Sequence, residues 1–342
     1  MKRTTNIHRL TRGLVGLAVA ATLVGLAAPA GAAVPETRVR PAQLDRGADQ
    51  VGAHLEGKTV VDGDVRVPVR AGIVTLLGTS GDEYVVATSN ANGSGRFHTF
   101  RLSADGDRTP LLDGVPIFDQ VLSRDGSQVA RSVDRTGEST VVRVWSAVDG
   151  ERVVSRRFPG SATVLDFDQQ RMVLGSWGPN RTVSWDVAAG TTRRVVNKVG
   201  YAADLRADRL AVLTGDPYNG GCSLTSRLST PARTLWKSCT EVVRAFAPSG
   251  GRTATVHILS DGLGPREVRL HATGGRLLAR YTAGYYFGRI AFETPRDLLL
   301  ETYSRNQGST VRCALTDCER AERLTPTPDY RVTPREQRAL RP

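Results

Sequence analysis

From residue 73 to residue 325 the chain reads as short stretches of alternating apolar and polar positions, broken by Gly, Asp, Ser or Pro; the first four are IVTLLG, EYVVATS, FHTFRLS and RTPLLDG. A period of two sends alternate side chains to opposite faces and predicts strands. Breaks about every 8 to 12 residues predict an all-β sandwich, barrel or propeller. No stretch carries the periodicity of a long amphipathic helix.

A longer repeat decides among these. The segments VRVWSAVDGERVV (142–154) and RTVSWDVAAGTTRRVV (181–196) align, so that Trp145 and Trp185 lie 40 positions apart, as do Gly150 and Gly190. A tryptophan-bearing strand, a tight turn and a return strand recurring at about 40 residues is a propeller period. Six four-strand units follow, at 73–115, 116–160, 161–200, 201–241, 242–284 and 285–325. An extra hairpin, KTVVDGDVRVPV (58–69), with Asp62-Gly63-Asp64 at its tip, precedes them. It is expected to supply outer strands that close the ring onto the last unit, since a propeller joins its first and last blades without an open edge. The expectation is a β-propeller of six to seven four-stranded blades, with seven, one incomplete, preferred.

Two units carry a further signature, VLSRDGSQVARS (121–132) and AFAPSGGRTATV (245–256). It resembles the TolB-like propeller repeat, approximately F-S-P-D-G-K-x-I-A. The Trp185-Asp186 dipeptide and the Gly after each Trp strand resemble WD-repeat proteins. The resemblance spans roughly 70–325 and implies a fold; propellers host enzymes, lectins and scaffolds on one frame.

Residues 1–33 combine a basic start (Lys2, Arg3, Arg9, Arg12), the apolar run Leu14 to Ala28 and an Ala30-Gly31-Ala32 site. This is the pattern of a cleaved secretory signal peptide, and the run is shorter than the roughly 20 residues of a membrane span. The expected organisation is a signal peptide (1–33), a lead-in (34–53), the propeller (54–325) and a polar tail (326–342), in a secreted monomer with no membrane span after processing.

The full chain carries +12; without the four cations of the signal segment, 42 basic residues face 34 acidic ones. The excess is arginine, in keeping with high-GC, actinobacterial-type usage, and it is spread rather than gathered into a basic block. Nucleic acid is therefore not an expected partner. Solvated surface arginines are the plain reading, and attraction to anionic wall polymers the sharper one.

Four cysteines in an exported chain predict two disulfides. Facing residues of a hairpin are equidistant from its turn. The midpoint of Cys222 and Cys239 falls at Thr230-Pro231, and that of Cys313 and Cys318 at Leu315-Thr316. Each pair is expected to staple its own hairpin.

Motifs for catalysis are sparse. His54, His98, His257 and His271 have no ligand-like spacing and read as strand or loop residues, no G-x-S-x-G occurs, and Asp125-Gly126 departs from the sialidase Asp-box. The acidic turns at 62–64, 105–107 and 125–126 read as turn chemistry rather than calcium loops. No metal and no cofactor are expected. Topology says more. Loops joining strands two and three, and loops between blades, share one propeller face, and here they are the longer and chemically richer set. They nominate Asn90, Asn92, Arg135, Trp177, Asn180, Tyr218, Asn219, Tyr285 and Tyr286 as binding-face candidates. The opposite reading makes these rings packing. The function expected is a non-enzymatic binding protein that recognises an extracellular protein or wall glycan through that face. The alternative is an extracytoplasmic lactonase, glycosidase or lyase acting in the central channel, which three or more convergent Asp, Glu, His or Asn side chains there would favour.

Overall fold

A computed structural model of the chain describes residues 34–135 and 137–327; the expected signal peptide and all but the first two residues of the polar tail lie outside the described residues. Seven sheets surround a central axis. Strand β1 (Glu36–Val39) precedes the ring. Blade I holds β2 (His54–Glu56), β3 (Thr59–Asp62) and β4 (Val65–Pro68); blade II holds β5 (Ile73–Ser80), β6 (Glu83–Ser89), β7 (His98–Leu102) and β8 (Arg108–Asp113). Blade III is β9 (Gln120–Leu122), β10 (Gln128–Arg135), β11 (Ser139–Ser146) and β12 (Arg152–Pro159). Blade IV is β13 (Ser161–Phe167), β14 (Arg171–Trp177), β15 (Arg181–Asp186) and β16 (Thr192–Val196). Blade V is β17 (Val199–Asp204), β18 (Arg209–Leu213), β19 (Ser223–Ser226) and β20 (Thr234–Ser238). Blade VI is β21 (Glu241–Phe246), β22 (Arg252–His257), β23 (Glu267–Ala272) and β24 (Leu277–Ala283). Blade VII is β25 (Tyr286–Phe292), β26 (Leu298–Tyr303), β27 (Gln307–Ala314) and β28 (Asp317–Arg320), with the short β29 (Thr325–Pro326) also on β27. The chain is a seven-bladed β-propeller.

The repeat seen in the sequence is the third strand, the turn after it and the fourth strand of blades III and IV. Trp145 and Trp185 are buried, and Gly150 and Gly190 close the turns at φ +76° and +65°, a region that glycine reaches without strain. Blades pack through the alternate residues of facing sheets. Between III and IV, Val142, Val144 and Phe158 meet Met172, Leu174 and Trp185, with the Phe158 ring edge-on to Trp185 at 5.5 Å. Blades IV and V approach so closely that a Cβ on Gly175 would stand 1.8 Å from the Gly200 carbonyl oxygen. Alanine there would force the blades apart. The disulfides Cys222–Cys239 and Cys313–Cys318 flank or bridge single hairpins, β19–β20 and β27–β28.

The 58–69 hairpin does not form the outer strands of the last blade. It pairs with β2 in a sheet of its own. The ring is closed instead by the lead-in: β1 lies parallel to β24 on the outside of blade VI, and Arg46 bridges Arg320 on the outside of blade VII. The chain then crosses to β2, with Val51 N–H donating to Glu293 Oε1 at 2.7 Å.

Blade I lacks a strand, and direction shows which one. The 69–72 connection lies beside Ser89 and Asn90 on the face of the inter-blade loops. Counting back, β2 rises from the opposite face, as the second strand of every other blade does. The innermost strand is missing.

Several arginines tie neighbouring blades together. At the face of the tight turns, Arg101 donates to the Val148 carbonyl (3.2 Å), Arg209 to Gly250 (2.7 Å) and Arg252 to Arg296 (2.8 Å), each on the next blade. Arg124 of blade III clasps Asp166 of blade IV (2.7 Å) and reaches Asp204 of blade V (3.0 Å). Guanidinium suits this role because its fork satisfies carbonyls and carboxylates together.

Candidate functional site

The face carrying the strand two-to-three loops and the inter-blade loops holds every nominated binding residue except Tyr286, whose ring is buried beneath it. In blade II, Asn90 Oδ1 accepts from the Ser94 and Gly95 N–H groups (2.9 and 3.2 Å), and Asn92 Oδ1 accepts from Ser94 Oγ at 2.7 Å. These side chains shape their own loop, as asparagines do in turns. Arg135 ends β10 opposite Ser139. Trp177 ends β14 with its side chain exposed, and Asn180 is exposed after the cis Gly178–Pro179 bond.

Tyr218 stands on a single 3-10 turn, Pro217–Asn219, capped by Asp216, whose Oδ1 accepts the Tyr218 N–H (3.0 Å) and whose Oδ2 accepts Asn219 Nδ2 (2.6 Å). Tyr218 is 69% exposed, and its hydroxyl donates to Asp261 of blade VI at 3.4 Å. Tyr285 is exposed and edge-on to Tyr286 at 5.2 Å; Tyr286 is stacked on Tyr303 at 4.7 Å. The packing reading therefore holds for Tyr286. The structure brings together Asn90 with Asn92, Tyr218 with the blade VI loop, and Tyr285 with Tyr286.

Sequence reasoning missed Phe118 and Leu259, both exposed on the same face, where Leu263 of the 261–266 loop is exposed as well. Phe118 lies in the connection from blade II to blade III, its ring against Gly93. The topological rule that found Tyr285 also covers this connection, so the signal was present. Among the described residues, half of the twelve large apolar side chains that are exposed lie on this face: Phe118, Trp177, Tyr218, Leu259, Leu263 and Tyr285. The turn face has Val148 and Leu315 on the blades, and Val51 of the lead-in beside Glu293.

A groove of about 590 Å³ descends from this face between blades I and II. Asn90, Arg70, Arg96 and Arg108 line it, together with His98, whose Nδ1 lies 2.8 Å from Asp113 Oδ1. The Arg108 guanidinium sits 4.8 Å over the Phe100 ring. The groove is exposed and net cationic.

A second cavity, of about 520 Å³, opens on the central axis where blade I has no innermost strand. Inner strands β5, β9 and β25 contribute to its wall, as do His54, Glu301 and Glu322. Burial pushes the Glu322 carboxyl up to about 7 against hydrogen bonds from Thr310, with Glu56 and Glu301 adding repulsion. Among the described residues no group of three or more His, Cys, Asp or Glu is arranged to hold a metal ion, and no helix is long and apolar enough to cross a membrane.

The fold has solved counterparts. A chain of the mitotic checkpoint complex superposes with a TM-score of 0.50 at 14% identity, over 86% of this chain and 90% of that one. A prolyl endopeptidase superposes at 0.53 with 13% identity, over 75% of this chain but 43% of that one. TolB from Acinetobacter baumannii gives 0.46 at 14% identity, over 70% and 62%. The likeness is one of fold. No protein-family model matches the chain. No curated protein sequence matches it either.

Proposed function

We propose that this chain is an exported, monomeric β-propeller that binds a macromolecular partner, an extracellular protein or a wall glycan, through the loop face. One observation carries the reading: exposed aromatic and aliphatic side chains gather on that face, while the turn face is occupied by arginine ties between blades. Large exposed aromatics on a rigid scaffold are the residue types that anchor interfaces. Two disulfides suit an oxidising compartment, and the 1–33 pattern supports export. The arginine-lined groove beside Asn90 favours an acidic glycan among the partners.

Cosedimentation with cell-wall sacculi, run beside capture on immobilised exported proteins, tests this reading. Binding to either that is lost in Trp177→Ala, Tyr218→Ala or Tyr285→Ala supports it. Binding to neither, or binding indifferent to all three, contradicts it. Arg70→Ala with Arg96→Ala weakens the sacculus arm alone if the groove takes the glycan.

A second reading, a channel enzyme, is favoured by the convergence of Glu301, Glu322 and His54 in the central cavity. Hydrolysis of chromogenic glycosides or lactones that disappears in both Glu322→Gln and Glu301→Gln would establish it.

A further inference from the structure

We infer that the cavity left by the missing innermost strand of blade I is a binding site for a small organic cation that carries N–H donors, a primary ammonium or guanidinium compound.

The wall of this cavity is rich in acceptors. His54 is 3% exposed, and its Nδ1 lies 3.0 Å from the Gly52 carbonyl oxygen. A carbonyl only accepts, so Nδ1 carries a hydrogen, and in that tautomer of the uncharged ring Nε2 is an acceptor. That Nε2 is buried and has no hydrogen-bond partner. A buried polar atom without a partner is costly, on the order of 1–3 kcal/mol, and calls for a water or a ligand group to satisfy it. Glu322, also buried, accepts from Gln50 and from the Thr310 N–H (3.3 Å), and Glu301 accepts from the Arg289 N–H (2.7 Å) and the Tyr303 hydroxyl. An ionised carboxyl has up to four lone-pair sites and a protonated one keeps part of that capacity, so both can accept further hydrogen bonds.

The charge balance selects the ligand. Glu301 and Glu322 line the cavity, whereas the one guanidinium among its lining residues, Arg289, is exposed; Glu56, which acts on Glu322 from β2, is itself paired with Arg66. An ammonium group entering here exchanges water for carboxylate oxygens and brings N–H donors beside His54. The apolar remainder, from Leu55, Val74 and Leu76, suits a carbon skeleton. The volume lies within the usual range for small-molecule sites, roughly 300–1,000 Å³.

The test is isothermal titration calorimetry of the folded chain at pH 7.5 and 150 mM salt with spermidine, agmatine and glucosamine, against the uncharged controls 1,4-butanediol and N-acetylglucosamine. At least one amine is expected to bind saturably with 1:1 stoichiometry and to raise the melting temperature, while the controls do neither. Glu322→Gln and Glu301→Gln are each expected to weaken that amine at least tenfold, and Trp177→Ala on the loop face to leave it unchanged. No saturable binding by any amine, equal binding by the controls, or amine binding untouched by both carboxylate variants overturns the assignment. The loop face is read by sacculus and exported-protein binding and the cavity by calorimetry, so failure here is separable from failure of the loop-face reading.

Discussion

Arg312 on β27 grips Glu293 at the end of β25 through two nitrogens, Nε at 2.5 Å and Nη2 at 2.9 Å, and the same guanidinium donates to the carbonyl oxygens of Ala48 (3.1 Å) and Asp49 (2.9 Å). One side chain thus ties the lead-in to the last blade. Its neighbours Glu293 and Glu319 raise the Arg312 pKa further, while Glu293 is held below its ordinary value because this pair and the Val51 N–H outweigh its burial. The propeller is closed here by a charged clasp on an incoming strap rather than by a blade shared between the two ends of the chain.

Removing the clasp leaves Glu293, whose side chain is 4% exposed, as a buried unpaired charge. Arg312→Ala is expected to cost about 3 kcal/mol, within the range for breaking a buried pair from one side. Urea unfolding gives the magnitude. Hydrogen exchange gives the location: amides of 44–56 should open before those of blades III and IV. An unchanged midpoint would show that β1 closes the ring without the clasp.

The larger disulfide constrains the unfolded chain more. With a sequence separation of 17, Cys222–Cys239 should contribute roughly 3 kcal/mol by loop entropy, and the separation of 5 at Cys313–Cys318 should contribute less. Paired Cys→Ser substitutions compared by denaturation test the order. A larger loss from the short pair would place the effect in blade VII packing instead.

Two buried carboxylates give opposite pH dependences. Burial works to raise Glu241, but hydrogen bonds from His271, Thr255 and Arg269 outweigh it and hold the carboxyl at about 2, below the ordinary 4.5. Its contribution, on the order of 3 kcal/mol, is present above pH 4.5 and is lost as pH falls toward 2. Glu322 is raised to about 7, so its neutral form favours the fold below 4.5 and stability falls as pH rises from there through 7. In a thermal-unfolding series, Glu241→Gln should destabilise most at neutral pH and converge on the parent chain in acid. Glu322→Gln should flatten the loss between pH 5 and 8. Parallel curves for parent and Glu322→Gln would contradict the burial of that charge.

Much of the ring was legible because its signals are local. The strand alternation, the Trp145 and Trp185 repeat with its glycine turns, and the symmetry of each cysteine pair all lie within one hairpin or one blade. What the sequence hid is long-range. Glu36 pairs with Arg280 and Arg46 with Arg320, and neither β1 nor β2 is long enough to show a period. The inter-blade arginines Arg101, Arg209 and Arg252 bond to backbone carbonyls, which any residue supplies, so charge counting read them as surface. The central cavity joins residues 54, 301 and 322, and its cause is a strand that the chain does not have. The loop-face residues were found by topology alone, and the same lack of side-chain detail let the buried Tyr286 stand beside the exposed Tyr285.

The central claim is that the loop face binds. Its most direct measurement is the affinity of the partner retained from sacculi or exported proteins, compared between Trp177→Ala, Tyr218→Ala and Tyr285→Ala on that face and Val148→Ala and Leu315→Ala on the turn face. At least one of the first three is expected to lose about 2 kcal/mol or more, roughly thirtyfold in Kd, with unchanged melting temperature, while the last two bind as the parent does. Full affinity in the three aromatic variants, with loss in Val148→Ala or Leu315→Ala, would contradict the account and move the binding site to the turn face.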